Sequence, residues 1–175
     1  VVFYRRWFYL SRRRCCLRKG VAMTEQSVVV KASSQMSLAE IEIFLSNSKI
    51  PLRISSVGSD GFPLVSSLWF LYQDNCFFCA THKSSLLAKR FLLNSKCGFE
   101  VAADSMPYSG VRGQGIVSMT LGNTERLLER LIQRYAIDPE SYLAKWLLSR
   151  SNDEYVLCIS PNWLTAWDFS SRMKK

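Results

Sequence analysis

The chain has 175 residues, 48% apolar and 13% aromatic, which excludes a disordered polymer, and its 8 glycines and 5 prolines exclude a collagen-like or low-complexity one. The formal charge of +9 invites a nucleic-acid reading, but seven basic residues (Arg5, Arg6, Arg12, Arg13, Arg14, Arg18 and Lys19) crowd into residues 1–22 without an acid, leaving 16 basic against 14 acidic residues, a net +2, over 23–175. That body gives no electrostatic case for nucleic acid, and no uncharged run approaches the roughly 20 apolar residues of a membrane span.

Arginines interrupt every apolar run of residues 1–22, so the segment lacks the apolar stretch of a secretory signal. Its arginine content leaves open a transit peptide, or a basic arm for a membrane surface or nucleic acid. Met23 opens an ordinary polar start. The expectation is that residues 1–22 are upstream sequence outside the fold, and that residues 23–175 form a single, cytoplasmic domain.

Ser37-Leu38-Ala39-Glu40 is a capping box, and Leu38, Ile41, Phe44 and Leu45 follow at helical spacing, predicting a helix over Leu38–Ser48. Ile50–Val57, Pro63–Tyr72 and Cys76–Thr81 read as strands separated by the short turns Gly58–Gly61 and Gln73–Asn75, an antiparallel meander. Ser84–Asn94 reads as a helix, Cys97–Ala103 as a strand, Asp104–Gly110 as a loop and Val111–Thr120 as a strand. Asn123 is placed to cap a helix ending near Ala136. Asp138-Pro139 has the form of a second helix start, running to about Arg150. Glu154–Ser160 and Trp163–Phe169 close the chain as two strands. No linker divides it.

Antiparallel strands interrupted by helices make an α+β fold. Pro63–Tyr72 carries apolar groups on both faces: Val65, Trp69 and Leu71 on one, Leu64, Leu68 and Phe70 on the other. A strand covered on both sides suits a small barrel with helices, or a partner chain, packed outside it.

Chemistry-bearing motifs are sparse. Cys76-Phe-Phe-Cys79 has the spacing of a metal or redox pair, but residues three apart on a strand point to opposite faces. The expectation is therefore free core cysteines and no metal. His82 is the only histidine. No serine lies in Gly-x-Ser-x-Gly. Gly110-x-x-Gly113-x-Gly115 precedes a strand instead of opening a helix, so it is not a dinucleotide loop. One stretch is suggestive: Thr81-His82-Lys83-Ser84-Ser85 links a strand to a helix, with Lys89 and Arg90 one turn further. Hydroxyls, a lysine and free N–H groups at a helix start can cradle a phosphate. The same residues also suit an ordinary capped helix with solvated lysines.

The run from Ile54 to Phe70 (ISSVGSDGFPLVSSLWF), then Cys76–Thr81, then Pro107-Tyr-Ser-Gly-Val-Arg-Gly-Gln-Gly115 resembles the pyridoxamine 5′-phosphate oxidase-like family of FMN-binding split β-barrels. The resemblance covers about Ile50–Val117, with a continuation at Trp167-Asp168-Phe169. It implies a split barrel with peripheral helices, a homodimer holding FMN at its interface, and a flavin-dependent oxidoreductase acting on a small molecule. It implies that Val65, Ser66, Ser67 and Leu68 border the flavin ring, and that Thr81, Lys83, Ser84, Ser85 and Lys89 take the phosphate. Arg112 would lie near the cofactor or its loop, and Trp163 and Trp167 would cover the ring or pack the core. The chain departs from the family at Ser109, where many relatives carry a basic residue. It also lacks the Arg-rich C-terminal substrate motif of true pyridoxamine phosphate oxidases, which argues against that substrate. A non-catalytic flavin carrier, a haem-binding barrel relying on His82 and a deazaflavin-binding barrel are the alternatives.

Overall fold

The structure, a computed structural model, describes residues 28–173; the expectation for residues 1–22 lies outside the described residues, as do Cys15 and Cys16. The chain orders itself as β1 (Val29–Val30), α1 (Leu38–Asn47), β2 (Leu52–Val57), β3 (Pro63–Leu68), β4 (Leu71–Gln73), β5 (Cys76–His82), α2 (Leu86–Leu93), β6 (Lys96–Ala102), β7 (Ser109–Leu121), α3 (Glu125–Arg134), α4 (Tyr142–Ser149), β8 (Glu154–Asp168) and α5 (Ser170–Met173). The α+β expectation holds. Apart from β1, which runs parallel to β8, every strand pairing is antiparallel.

The strands form one sheet in the order β3-β2-β6-β7-β8-β5-β4. Its two edge strands, β3 and β4, are consecutive in the chain and separated only by Trp69 and Phe70. Three Cα steps span at most about 11 Å, so the sheet must roll until its edges meet. A barrel with an open seam is thereby dictated by connectivity. The sequence predicts one strand over Pro63–Tyr72; the structure breaks it at this seam. Phe70, fully buried, turns into the barrel. Trp69 stacks on Tyr135 at a ring distance of 4.8 Å, and the Tyr135 hydroxyl accepts the Phe70 N–H at 3.3 Å.

The interior is a single apolar cluster. Ile54 from β2, Phe77 and Cys79 from β5, Phe99 and Val101 from β6, Val111 from β7 and Leu157, Ile159 and Leu164 from β8 all point inward. Phe77 sits at the centre, its ring 4.9 Å from those of both Tyr72 and Phe99. Removing such a ring costs about 3–5 kcal/mol. Helices α1 and α2 extend the cluster with Ile41, Leu45, Leu87 and Phe91. The capping box forms as predicted, with Ser37 and Glu40 each bonding the other's backbone N–H. At the other end of α1, Arg134 donates to the carbonyls of Leu45, Ser46 and Ser48 and so closes α1 from α3.

Three boundaries differ from expectation. Asn123 takes a positive φ of 56° and so serves as a turn residue; Thr124 is the N-cap of α3. Asp138-Pro139 forms a turn, and α4 starts after Ser141, whose hydroxyl accepts from the Ala144 N–H. The two predicted closing strands are one, β8, because β7 pairs along it from Tyr155 to Asp168 and absorbs the irregularity in a bulge at Gln114/Gly115.

Candidate functional site

The barrel seam exposes β3 as an edge strand, paired among the described residues only with β2. In an antiparallel edge strand, alternate residues direct N–H and C=O away from the sheet. These groups can hydrogen-bond a planar heterocycle. Val65 and Ser67 face outward and are exposed, whereas Ser66 and Leu68 are half-buried on the opposite face, Leu68 against the core. The predicted quartet therefore splits: Val65 and Ser67 can offer side chains to an outside ligand, and Ser66 and Leu68 only backbone.

The second part of the site is the β5–α2 junction. Thr81 is buried, and its Oγ1 lies 3.0 Å from Ser85 Oγ. Ser85 is the N-cap of α2 and accepts the Ala88 N–H at 3.0 Å. Two hydroxyls sharing one hydrogen bond keep one O–H donor in reserve. Only Ser85, half-buried, can turn that donor outward. A spare donor beside the N-terminus of a helix suits an anion, so the residues present fit a phosphate.

The cations predicted beside them are placed differently. The Lys83 ammonium is 2.6 Å from Asp153, and this bond holds the Asp153 carboxyl below the usual carboxylate range. Ser84 is exposed, and its hydroxyl lies 2.7 Å from His82 Nδ1. Lys89 is exposed one turn into α2. Arg90 is committed to the carbonyls of Ser56 and Phe62, pinning the β2–β3 turn to the helix. Thr81 and Ser85 are thus brought together, while Lys83, Ser84 and Lys89 are not joined to them by any side-chain bond among the described residues.

Arg112 lies on the exposed outer face of β7, opposite Glu100 on β6 and Thr165 on β8, with its guanidinium 5.5 Å from the Trp167 ring. Trp163 lies under the Lys31 ammonium at 3.6 Å and donates to Gln114 at 3.3 Å. The motif glycines serve close packing. A Cβ on Gly110 would stand 2.5 Å from the Trp167 ring, and one on Gly113 would stand 2.4 Å from the Trp163 carbonyl and 2.7 Å from the Phe99 ring. Gly110 therefore lets Trp167 lie flat across β7, and Gly113 lets β8 close on β6 and β7.

Cys76 and Cys79 do point to opposite faces. Cys79 is fully buried in the barrel and Cys76 half-buried outside it. Burial pushes the Cys79 thiol up. Hydrogen bonding from Cys158, and from Ser160 at 3.7 Å, outweighs burial at Cys76 and brings it down to about 7.

The sequence led to an expectation of helices packed outside the barrel, but not of which helices cover the seam. Helices α3 and α4 pack above Ser67, Leu68 and Ala80 and leave a cleft of about 270 Å³ between hairpin and barrel. A helix ending near Ala136 was legible; where it would dock was not.

No family model matches the chain, and no curated protein matches it. Solved structures do. The conserved protein Rv2991 from Mycobacterium tuberculosis is 22% identical, with a TM-score of 0.66 over 83% of this chain and 93% of that one. An F420 reductase is 17% identical, with a TM-score of 0.58 over 69% of this chain and 93% of that one. A candidate pyridoxamine 5′-phosphate oxidase from Listeria innocua is 17% identical, with a TM-score of 0.57 over 75% and 97%. The fold is that of the pyridoxamine 5′-phosphate oxidase-like split barrels. Among the described residues no helix is long and apolar enough to cross a membrane.

Proposed function

We propose that the chain is a flavin-dependent oxidoreductase of the pyridoxamine 5′-phosphate oxidase-like family, working as a cytoplasmic homodimer with FMN held at the interface. The observation that carries this reading is the pairing of an edge strand, β3, with a spare hydroxyl donor at the start of α2. Backbone groups of Val65–Leu68 would hold the ring edge. Ser85, buttressed by Thr81, would donate to the phosphate, with the first N–H groups of α2 adding their dipole. Lys89 would supply charge at longer range. Arg112, on the exposed outer face of β7, would approach the cofactor from the partner chain.

FMN, when bound, supplies the electron transfer itself. The chain's own residues bind, orient and exclude water. None needs to act as acid or base. The likeness to an F420 reductase favours one second reading, a deazaflavin in place of FMN, since a phosphate site of this kind serves either.

The test is the absorption spectrum of the purified protein, chromatography of the released cofactor, and turnover with reduced nicotinamide. FMN bound one per chain, in a dimer by sedimentation, with substrate-dependent turnover, is the expected result. Tight binding without turnover would leave a flavin carrier. Failure to bind FMN at micromolar concentration, or a monomer at that concentration, would overturn the reading.

A further inference from the structure

Four cysteines lie among the described residues, and the two faces of the sheet divide them. Cys79 and Cys97 belong to the barrel interior. Cys76 precedes the inward Phe77 on β5, and Cys158 stands between the inward Leu157 and Ile159 on β8, so alternation turns both to the outer face. The two strands pair antiparallel, with Phe77 opposite Ile159 and Phe78 opposite Cys158. Cys76 therefore stands one step further along, at Ser160, whose Oγ is 3.7 Å from its sulfur, and Cys158 is its diagonal neighbour. The Cys158 thiol donates a hydrogen bond to the Cys76 sulfur.

The two thiols are unequal. Cys76 is half-buried, whereas Cys158 is only 6% exposed. Donors from Cys158 and Ser160 favour the Cys76 thiolate, against burial and the charge of Asp74. The thiolate is the reactive form of cysteine, so an oxidant arriving from solvent meets Cys76 first and Cys158 only through it. Diagonal neighbours have Cα atoms about 7–8 Å apart, and a disulfide takes up to about 6.8 Å, so a bridge needs about an ångström of backbone movement. Cys76 can supply it. It opens β5 directly after the turn residues Asp74 and Asn75, and pairing with β8 begins only at Phe77. Cys158 is held on both sides, by Phe78 of β5 and Ser118 of β7.

We infer that Cys76 and Cys158 form a site of reversible oxidation, at which a hydroperoxide reacts with Cys76 and Cys158 then closes a disulfide. The Cys76 thiolate attacks the terminal peroxide oxygen: an S–O bond forms, the O–O bond breaks, and water or an alcohol leaves with a solvent proton. Cys76 is now a sulfenic acid. The Cys158 sulfur attacks it, the S–S bond forms, the S–O bond breaks, and hydroxide departs as water with the Cys158 proton. In sum, two thiols are oxidised and one peroxide is reduced. Thiol exchange restores the pair. The site does not rest on the flavin reading: along β5, Cys76 is roughly 17 Å from Thr81.

The test is hydrogen peroxide in small excess over the full chain, followed by maleimide capping of free thiols and peptide mapping. The expected result is an intrachain link between Cys76 and Cys158, with loss of both thiols from capping and their return after dithiothreitol, while Cys79 and Cys97 stay reduced. In Cys158→Ser, Cys76 should stop at a sulfenic acid that dimedone traps, and should pass to sulfinic acid in excess peroxide. Cys158→Ala, which adds no hydroxyl to the buried position, should do the same. Cys76→Ser should abolish loss of the Cys158 thiol. Persistence of both thiols under peroxide that oxidises free cysteine would overturn the inference. So would a link from Cys76 to Cys15, to Cys16 or to a second chain. Conversion of Cys76 to sulfinic acid as fast in wild type as in Cys158→Ser would show that Cys158 does not intercept it, and would equally overturn the inference.

Discussion

Replacing Ser85 by Asp separates the two jobs that the Ser85 hydroxyl performs. As the N-cap of α2 it accepts from the Ala88 N–H, a role that Asp fills as well as Ser. As the outward donor beside Thr81 it has a proton that Asp lacks, and Asp sets a negative charge against the phosphate. A hydrogen bond to a charged group is worth about 1.5–3 kcal/mol, so Ser85→Ala alone should weaken FMN about 10- to 100-fold and also lower stability by about 0.5–2 kcal/mol through the lost cap. Ser85→Asp should keep the stability and weaken FMN further still. Thr81→Val should weaken FMN only a few-fold, because Thr81 is buried behind Ser85 and acts through it. The assay is quenching of flavin fluorescence on titration, with riboflavin as the control, beside urea unfolding of each variant. Riboflavin has no phosphate and should be indifferent to all three changes. If Ser85→Asp holds FMN as tightly as wild type, the phosphate lies elsewhere and the β5–α2 junction is a capped helix and nothing more.

Alkylation of Cys76 by iodoacetamide, followed by peptide mapping, should rise with a midpoint near pH 7, since its thiol is brought down to about 7 by Cys158 and Ser160; a midpoint near 9 would refute that geometry. The folded pKa lies below the unfolded one, so this group's stabilising contribution is full above about pH 9 and is lost as pH falls through 7. Cys97, pushed up to about 12 by burial, should stay unmodified until the protein unfolds. Gly113→Ala puts a methyl 2.4 Å from a backbone carbonyl and 2.7 Å from the Phe99 ring, and should lower stability by about 1–3 kcal/mol; an unchanged urea midpoint would show that β7 and β8 have room to part.

Most of the local elements are written in short stretches of the sequence. The capping box at Ser37–Glu40, the spacing of Leu38, Ile41, Phe44 and Leu45 and the strand over Cys76–Thr81 each follow from local patterns that neighbouring residues state directly. Motif resemblance added the architecture and pointed to β3 and the β5–α2 junction. Features that depend on partners distant in sequence emerge only in the folded chain. That Pro63–Tyr72 breaks at Trp69 follows from its two halves pairing with different strands at opposite edges of one sheet. That Thr124 and Ser141 cap α3 and α4, in place of Asn123 and Asp138, depends on where those helices dock. Lys83 is drawn to Asp153, 70 residues away. Glu154 meets a cleft because the α3–α4 hairpin folds back over Leu68 and Ala80. Local propensity acts over a few residues; a long-range contact depends on which surfaces finally meet, and no short window of the sequence contains that information.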